Sequence, residues 1–161
     1  MLAVPANAAL TASAPDGFTS QSEATIAVAP AAAWAALVQW PNWWSPAHSY
    51  SRTSPSLEAR AGGRLVEAWP GGEVLHAVVL NAQPPKLLRM SGGFGPLLSL
   101  PVNAILDFTL SPAGTGTKVT MTYRVAGNAA AKLDSLAAPV DAVMSEGFAR
   151  FTRFAVTSKP E

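Results

Sequence analysis

The sequence has no cysteine, only two histidines, and only 13% charged residues among its 161. The lack of cysteine excludes disulfide frameworks, cysteine-ligated zinc, iron–sulfur clusters and thiol nucleophiles, and it leaves the redox compartment undecided. With so few histidines and no phosphate-binding or cofactor motif, we expect neither a metal site nor a cofactor. The formal net charge of +1 lacks the basic character of nucleic-acid-binding proteins, so nucleic acid is not expected as a partner.

Long apolar runs are also missing. No stretch reaches the roughly 18 to 20 residues that a membrane-spanning helix requires, so no integral membrane segment is expected in the mature chain. Residues 1–8 end in Ala6-Asn7-Ala8, which has the small-x-small form of a signal-peptidase site, although the basic part and most of the apolar part of a signal peptide are missing. We interpret residues 1–16 as a signal-peptide remnant, in a periplasmic or secreted protein, or else as a flexible leader of a cytoplasmic one.

The ordered pattern begins at residue 18 with a strand followed by short helices. Apolar and polar residues alternate over 18–28, as expected of a strand with one buried face. Pro30 suits the first turn of a helix, so a short amphipathic helix is predicted over 31–39. Pro41 ends this helix, and the flanking prolines limit 42–46 to a second short helix or a tight turn.

The middle of the chain predicts an antiparallel meander. Apolar-patterned runs are separated here by turns rich in glycine and proline. Six strands are predicted, over 57–61, 64–69, 73–83, 87–91, 102–111 and 118–126. With the first strand they make a sheet of about seven strands that has one apolar face and one wet face.

After Gly127 the spacing of the apolar residues becomes helical. They recur at three- and four-residue steps from Leu133 to Phe151, which predicts a long C-terminal helix over 133–154. Pro139 lies in its early part and indicates a kink, or a helix that begins there. One face of this helix is expected to cover the sheet, which gives one α+β domain.

Several local motifs resemble those of one superfamily. They are Pro30–Leu37 with Trp34 (P-x-x-x-W-x-x-L), Trp43-Trp44-Ser45-Pro46 (W-W-x-P), Gly62-Gly63-Arg64-Leu65 (G-G-x-hydrophobic), Pro84-Pro85-Lys86-Leu87-Leu88 (P-P-x-x-L), a closing hairpin over 107–122 and a terminal helix over 147–154. In this order, from about residue 18 to residue 156, the chain resembles the SRPBCC (START-like) superfamily. The most similar branch contains polyketide cyclase-like proteins and activators of the heat-shock chaperone ATPase.

The resemblance implies the helix-grip fold for residues 17–157. In this fold a curved antiparallel sheet wraps the long C-terminal helix, and two short helices follow the first strand. The superfamily includes lipid and sterol carriers, hormone receptors, aromatase/cyclases, oxygenase subunits and co-chaperones, so the fold implies a cavity without naming a ligand. We interpret the chain as a monomer or weak dimer that binds or carries a small hydrophobic or aromatic molecule, and we favour a binding protein over an enzyme.

The residues expected to bind this molecule are mostly aromatic or methionine. Those expected between sheet and helix are Trp69, His76, Met90, Phe108, Met121, Tyr123, Met144 and Phe148, and those expected at the entrance are Trp43, Trp44 and Phe94. His76 and Tyr123 would supply the polar contacts. The alternative for each apolar member is an ordinary place in the core.

Three further alternatives stay open. Residues 92–98 are either a mobile gate or an apolar loop packed on the domain. A polyketide cyclase or dehydratase would use His76 and Tyr123 in proton transfer, with Glu67 nearby, unless His76 faces solvent from its strand. A protein-interaction module of the chaperone-activator type would use the tryptophan cluster, which otherwise forms a small core.

Overall fold

The alternating runs form one antiparallel sheet in the computed structural model, which describes residues 7–161. Its eight strands are β1 (Asn7–Ala14), β2 (Gly17–Ile26), β3 (Ser56–Leu57), β4 (Arg64–Trp69), β5 (Gly72–Gln83), β6 (Leu87–Ser91), β7 (Asn103–Ala113) and β8 (Gly116–Ala126). They lie in the order β1-β2-β8-β7-β6-β5-β4-β3. Bulges in the β1–β2, β4–β5 and β5–β6 pairs bend the strands and so curve the sheet.

Three α-helices accompany the sheet: α1 (Pro30–Leu37), α2 (Trp40–Trp43) and α3 (Asp134–Thr157). Short 3₁₀ turns cover Pro46–His48, Gly95–Ser99 and Ala129–Ala131. Pro30 occupies the first turn of α1, as predicted. The second short helix was predicted over 42–46, after Pro41. It begins at Trp40 instead, and Pro41 lies in its first turn. Within residues 7–161, no helix is both long and apolar enough to span a membrane.

The long C-terminal helix confirms the helix-grip fold. Helix α3 packs against β1 and β2 and against both short helices. It begins five residues before Pro139 and continues through it, so the proline does not mark its start. Its buried residues Val140, Met144 and Phe151 face the inner side of the sheet, whose β8 contributes Met121.

The N-terminal strand is the main departure from the predicted fold. Residues 7–14 were expected within a flexible leader, but they form strand β1, which pairs with β2 over its whole length. Small residues such as Ala9 and Ala12 have little side-chain surface to bury. The strand is therefore recognised by its backbone hydrogen bonds to β2 at the edge of the sheet. The part of the predicted signal-peptide remnant at residues 1–6 lies outside the described residues, and the prediction of export stays a prediction.

The outer face of the sheet carries one charged cluster. Asp107 on β7 accepts hydrogen bonds from Arg89 Nε at 2.7 Å, Arg89 Nη2 at 2.9 Å and Arg124 Nη2 at 2.8 Å. Burial acts to raise the pKa of this carboxyl, but the bonds from both arginines outweigh burial and hold the pKa below its usual range. The cluster therefore ties β6, β7 and β8 together on the side away from the helix.

Candidate functional site: a cavity between the helix and the loops

A cavity of about 250 Å³ lies between α3, the tryptophan-containing segment after α1, and the loop that follows β6. It is partly open to solvent. The residues that line it are Trp44, His48, Pro55, His76, Phe94, Gly95, Pro96, Pro139, Val140, Val143 and Met144. Aromatic, proline and aliphatic side chains dominate the walls, and the two histidines supply the polar side chains.

Four of the predicted binding residues meet at this cavity. Trp44, His76, Phe94 and Met144 line it, and each is buried, with at most 6% of its surface exposed. The expectation that His76 faces solvent is wrong, since only 4% of this residue is exposed. Whether the four bind a ligand stays a prediction, but the fold brings them to one place from four different segments of the chain.

Five other predicted residues fill the core beside the cavity and do not line it. These are Trp43, Met90, Phe108, Met121 and Phe148, each with at most 1% of its surface exposed. Trp69 lies apart from both groups. It stands at the β4–β5 turn, where it pairs with Gly72, and it does not line the cavity.

The tryptophan cluster explains why the cavity is smaller than the space between sheet and helix. The Trp40 and Trp43 rings lie 4.3 Å apart, and the Trp43 ring lies 5.5 Å from that of Phe151 on α3. Trp43 Nε1 also donates a hydrogen bond to the Leu37 carbonyl at 3.0 Å. The cluster is thus a small core between the short helices, sheet and α3, and its burial contradicts the hypothesis of an exposed contact for a chaperone.

Gly147 shows how closely α3 approaches this cluster. A Cβ at this position would lie 2.6 Å from Cζ3 of Trp44, which real contacts do not allow. The glycine therefore lets the helix pack directly on the tryptophan that forms one wall of the cavity.

Tyr123 is tied to the loop after β6 by two hydrogen bonds, and its role in binding or proton transfer stays a prediction. Its hydroxyl donates to the Gly92 carbonyl at 3.0 Å and accepts from the Phe94 backbone N–H at 3.2 Å. Burial raises the pKa of this hydroxyl well above its ordinary value, and the bond from Phe94 offsets only part of the effect. Tyr123 anchors the loop after β6, and this places the Phe94 ring at the cavity.

The loop that Tyr123 anchors is packed on the domain. Phe94 and Leu97 are almost completely buried, with 6% and 1% of their surfaces exposed. A Cβ at Gly92 would lie 1.9 Å from the His76 carbonyl, so only glycine permits this close approach of the loop to β5. These contacts agree with the packed-loop alternative, and a gating motion stays a prediction.

The polar centre of the site is a buried pair of His76 and Glu67. His76 Nε2 lies 3.0 Å from Glu67 Oε2, and no part of Glu67 is exposed. The carboxylate also accepts hydrogen bonds from the Tyr50 N–H at 3.1 Å and from the N–H and hydroxyl of Ser51. Burial acts to raise the pKa of Glu67, but the bonds from Ser51, His76 and Tyr50 outweigh it and lower the pKa. Glu67 is therefore ionised at neutral pH.

The imidazole of His76 is held in a fixed orientation. Its ring is nearly parallel to that of Phe94, with centroids 6.0 Å apart, and the Tyr50 ring lies 5.9 Å away. Nδ1, the second ring nitrogen, is buried and has no hydrogen-bond partner among residues 7–161. A buried polar atom of this kind is uncommon in folded proteins and marks a site of interest.

Two polar contacts lie at the rim of the cavity. His48 Nε2 lies 2.8 Å from Glu146 Oε2 on α3. The Tyr50 hydroxyl donates to the Gly95 carbonyl at 3.0 Å, although 54% of Tyr50 is exposed. The first contact links the segment after α2 to α3, and the second links the same segment to the loop after β6.

Seven of the eleven lining residues were not among the predicted binding residues. Val140 and Val143 belong to the same helical stripe as Met144, so the period that predicted α3 contained the signal for them. Pro55 and Pro96 lie in loops whose path is set by tertiary contacts, and no local pattern indicates their position. Within residues 7–161, no group of three or more potential ligand side chains could hold a metal ion.

Comparisons with known proteins agree with the fold. The family model described as "Polyketide cyclase / dehydrase and lipid transport" matches residues 18–157. The crystal structure of CalU16 from Micromonospora echinospora superimposes with a TM-score of 0.63 at 18% identity, over 94% of this chain and 84% of that one. Protein Ms6760 from Mycobacterium smegmatis gives a TM-score of 0.63 at 16% identity, over 97% and 98% of the two chains. Among curated proteins no sequence matches.

Proposed function

The chain belongs to the polyketide cyclase/dehydrase and lipid-transport family, and we propose that it binds a small, mostly apolar molecule in the cavity beside α3. The observation that carries this proposal is the cavity itself. Its walls are apolar except for His48 at the rim and the buried His76, and ligand sites in proteins combine apolar walls with a few fixed polar groups in this way.

The volume of the cavity limits the size of the ligand. An apolar cavity of about 150 Å³ accommodates benzene. A cavity of about 250 Å³ therefore accommodates about ten non-hydrogen atoms, the size of a two-ring aromatic or a short aliphatic chain. A long lipid or a four-ring polyketide would need the walls to open.

Naphthalene is a suitable probe because it matches this volume. We expect it to shift the amide resonances of cavity residues in an NMR titration of the ¹⁵N-labelled protein. Val143→Trp would fill the cavity from α3 and abolish these shifts. Val156→Trp, on the same helix but 40% exposed and away from the cavity, is the matched control and should bind naphthalene like the native protein.

Thermal unfolding of both variants shows whether the substitutions are tolerated. If naphthalene shifts no cavity resonance in the native protein, or if Val143→Trp folds and binds it unchanged, this binding site is refuted.

The Glu67–His76 pair supports one alternative, an acid–base cyclase or dehydratase. A histidine whose Nε2 is held by a carboxylate can remove a proton from a bound substrate through Nδ1. Tyr123 would not act as its partner, because both hydrogen-bonding roles of its hydroxyl are occupied. The test is the conversion of the neutral ester of a short poly-β-ketone of the size that the cavity admits. Turnover that is unchanged in His76→Ala would exclude this mechanism.

A further inference from the structure

We propose that the ligand carries one hydrogen-bond donor, such as the hydroxyl of a phenol or a naphthol, and that this donor binds Nδ1 of His76. The inference rests on the proposed binding function and specifies the chemical class of the ligand. It follows from the protonation of the imidazole, its fixed orientation and the lack of cations in the wall.

Glu67 determines which ring nitrogen of His76 carries the proton. An ionised carboxylate can only accept hydrogen bonds, so the Nε2 that lies 3.0 Å from Glu67 Oε2 must be the donor. The carboxylate also accepts hydrogen bonds from Ser51 and from the N–H of Tyr50. With the single ring proton on Nε2, as the proposal assigns it, Nδ1 is an acceptor with a free lone pair.

The acceptor is both buried and preorganised. Phe94 and Tyr50 fix the ring plane, and Glu67 fixes its rotation. His76 lines the cavity, and Nδ1 has no partner within the described part of the chain. A ligand donor that reaches this atom would satisfy it while the imidazole keeps its orientation, which favours affinity because the ring itself need not be ordered on binding.

The remaining lining selects against anionic ligands. No lysine or arginine is among the cavity residues within the described range 7–161, and His48 is already engaged with Glu146. A carboxylate or phosphate would lose its hydration without a cationic partner, and it would place a negative charge in the same site as the ionised Glu67. A neutral hydroxyl on a flat apolar body fits walls of aromatic and proline rings.

The test compares two probes of equal size. 2-Naphthol and 2-methylnaphthalene differ only in a hydroxyl against a methyl group. By NMR titration the native protein should bind 2-naphthol about tenfold more tightly, as expected for one buried hydrogen bond. In His76→Phe, which keeps a ring beside Phe94 but has no acceptor, the two affinities should become equal.

A second measurement uses only the native protein and covers the case in which His76→Phe does not fold. The ¹⁵N resonance of His76 Nδ1 should move on addition of 2-naphthol and should stay in place with 2-methylnaphthalene. 2-Methoxynaphthalene, which can only accept a hydrogen bond, should bind no better than 2-methylnaphthalene.

The outcomes separate this inference from the function on which it rests. If both probes bind equally, or if 2-methoxynaphthalene binds best, the donor-specific inference is overturned while the binding function stands. If neither probe binds, both are overturned. Tighter binding of 2-naphthol that persists in a folded His76→Phe protein would also overturn the role of Nδ1.

Discussion

Replacing Glu67 with glutamine should destabilise the fold by about 3 kcal/mol at pH 7. Glu67 receives four hydrogen bonds, with Ser51 donating to Oε1 and Tyr50 and His76 donating to Oε2. A glutamine amide has only one oxygen, so in either orientation its NH₂ group faces a backbone N–H that loses its acceptor. An unpaired buried N–H costs about 1–3 kcal/mol, and loss of the charge weakens the remaining bonds by about 1 kcal/mol in total.

The effect should depend on pH in a defined direction. The pKa of Glu67 is lowered in the folded protein, so its contribution is complete above the unfolded-state pKa of about 4.3. The contribution is lost as the pH falls through the lower folded-state value. The difference in stability between the native protein and Glu67→Gln should therefore be largest near neutral pH and should shrink towards pH 3.

Urea unfolding followed by tryptophan fluorescence at pH 7, 5 and 3 measures this difference. Glu73→Gln is the matched control, because Glu73 is exposed on the neighbouring strand β5, and it should change stability by less than about 0.5 kcal/mol. Equal stability of Glu67→Gln and the native protein at pH 7, or a difference that grows as the pH falls below about 4.3, would refute the reasoning.

Three other substitutions test separate contacts. Gly147→Ala should lower the melting temperature although alanine favours helices by about 1 kcal/mol, because overpacking against the Trp44 ring costs about 1–3 kcal/mol. Asp107→Asn should cost about 2 kcal/mol at pH 7 in urea unfolding, and this difference should begin to shrink below the ordinary carboxyl pKa and be lost as the pH falls through the lowered folded-state pKa of Asp107. Tyr50→Phe removes the bond to the Gly95 carbonyl and should speed amide hydrogen exchange in the loop after β6 with little change in the melting temperature.

The fold was largely predictable because its local patterns agree with its tertiary structure. The strict alternation of Met121, Tyr123 and Val125 indicated a half-buried strand, and β8 has this burial pattern. Strand β1 was missed because most of its residues are small and show no apolar alternation, so its pairing with β2 and its packing against α3 leave no local signal. Strand β3 is shorter than the predicted 57–61, because the chain after Leu57 turns sharply at Gly63, whose backbone lies against Glu58.

The site was predictable only in part. His76 and Glu67 were expected near each other, and their positions on the paired strands β5 and β4 make this contact. Residues on the inner face of the sheet, such as Phe108 and Met121, have the same alternation as a cavity lining, but the tryptophans of α2 fill the space above them. The period of a strand indicates which way a side chain points, and it does not indicate what stands opposite.

The order of the strands has a consequence for how the chain reaches its native state. Phe18 on β2 pairs with Val125 on β8, so the two strands that join the N-terminal hairpin to the rest of the sheet are more than 100 residues apart in sequence. During synthesis the β1–β2 hairpin must wait until β8 has left the ribosome before it can be covered. Such distant pairing slows folding and leaves apolar strand surface exposed in the nascent chain, which is when this protein is most prone to aggregation.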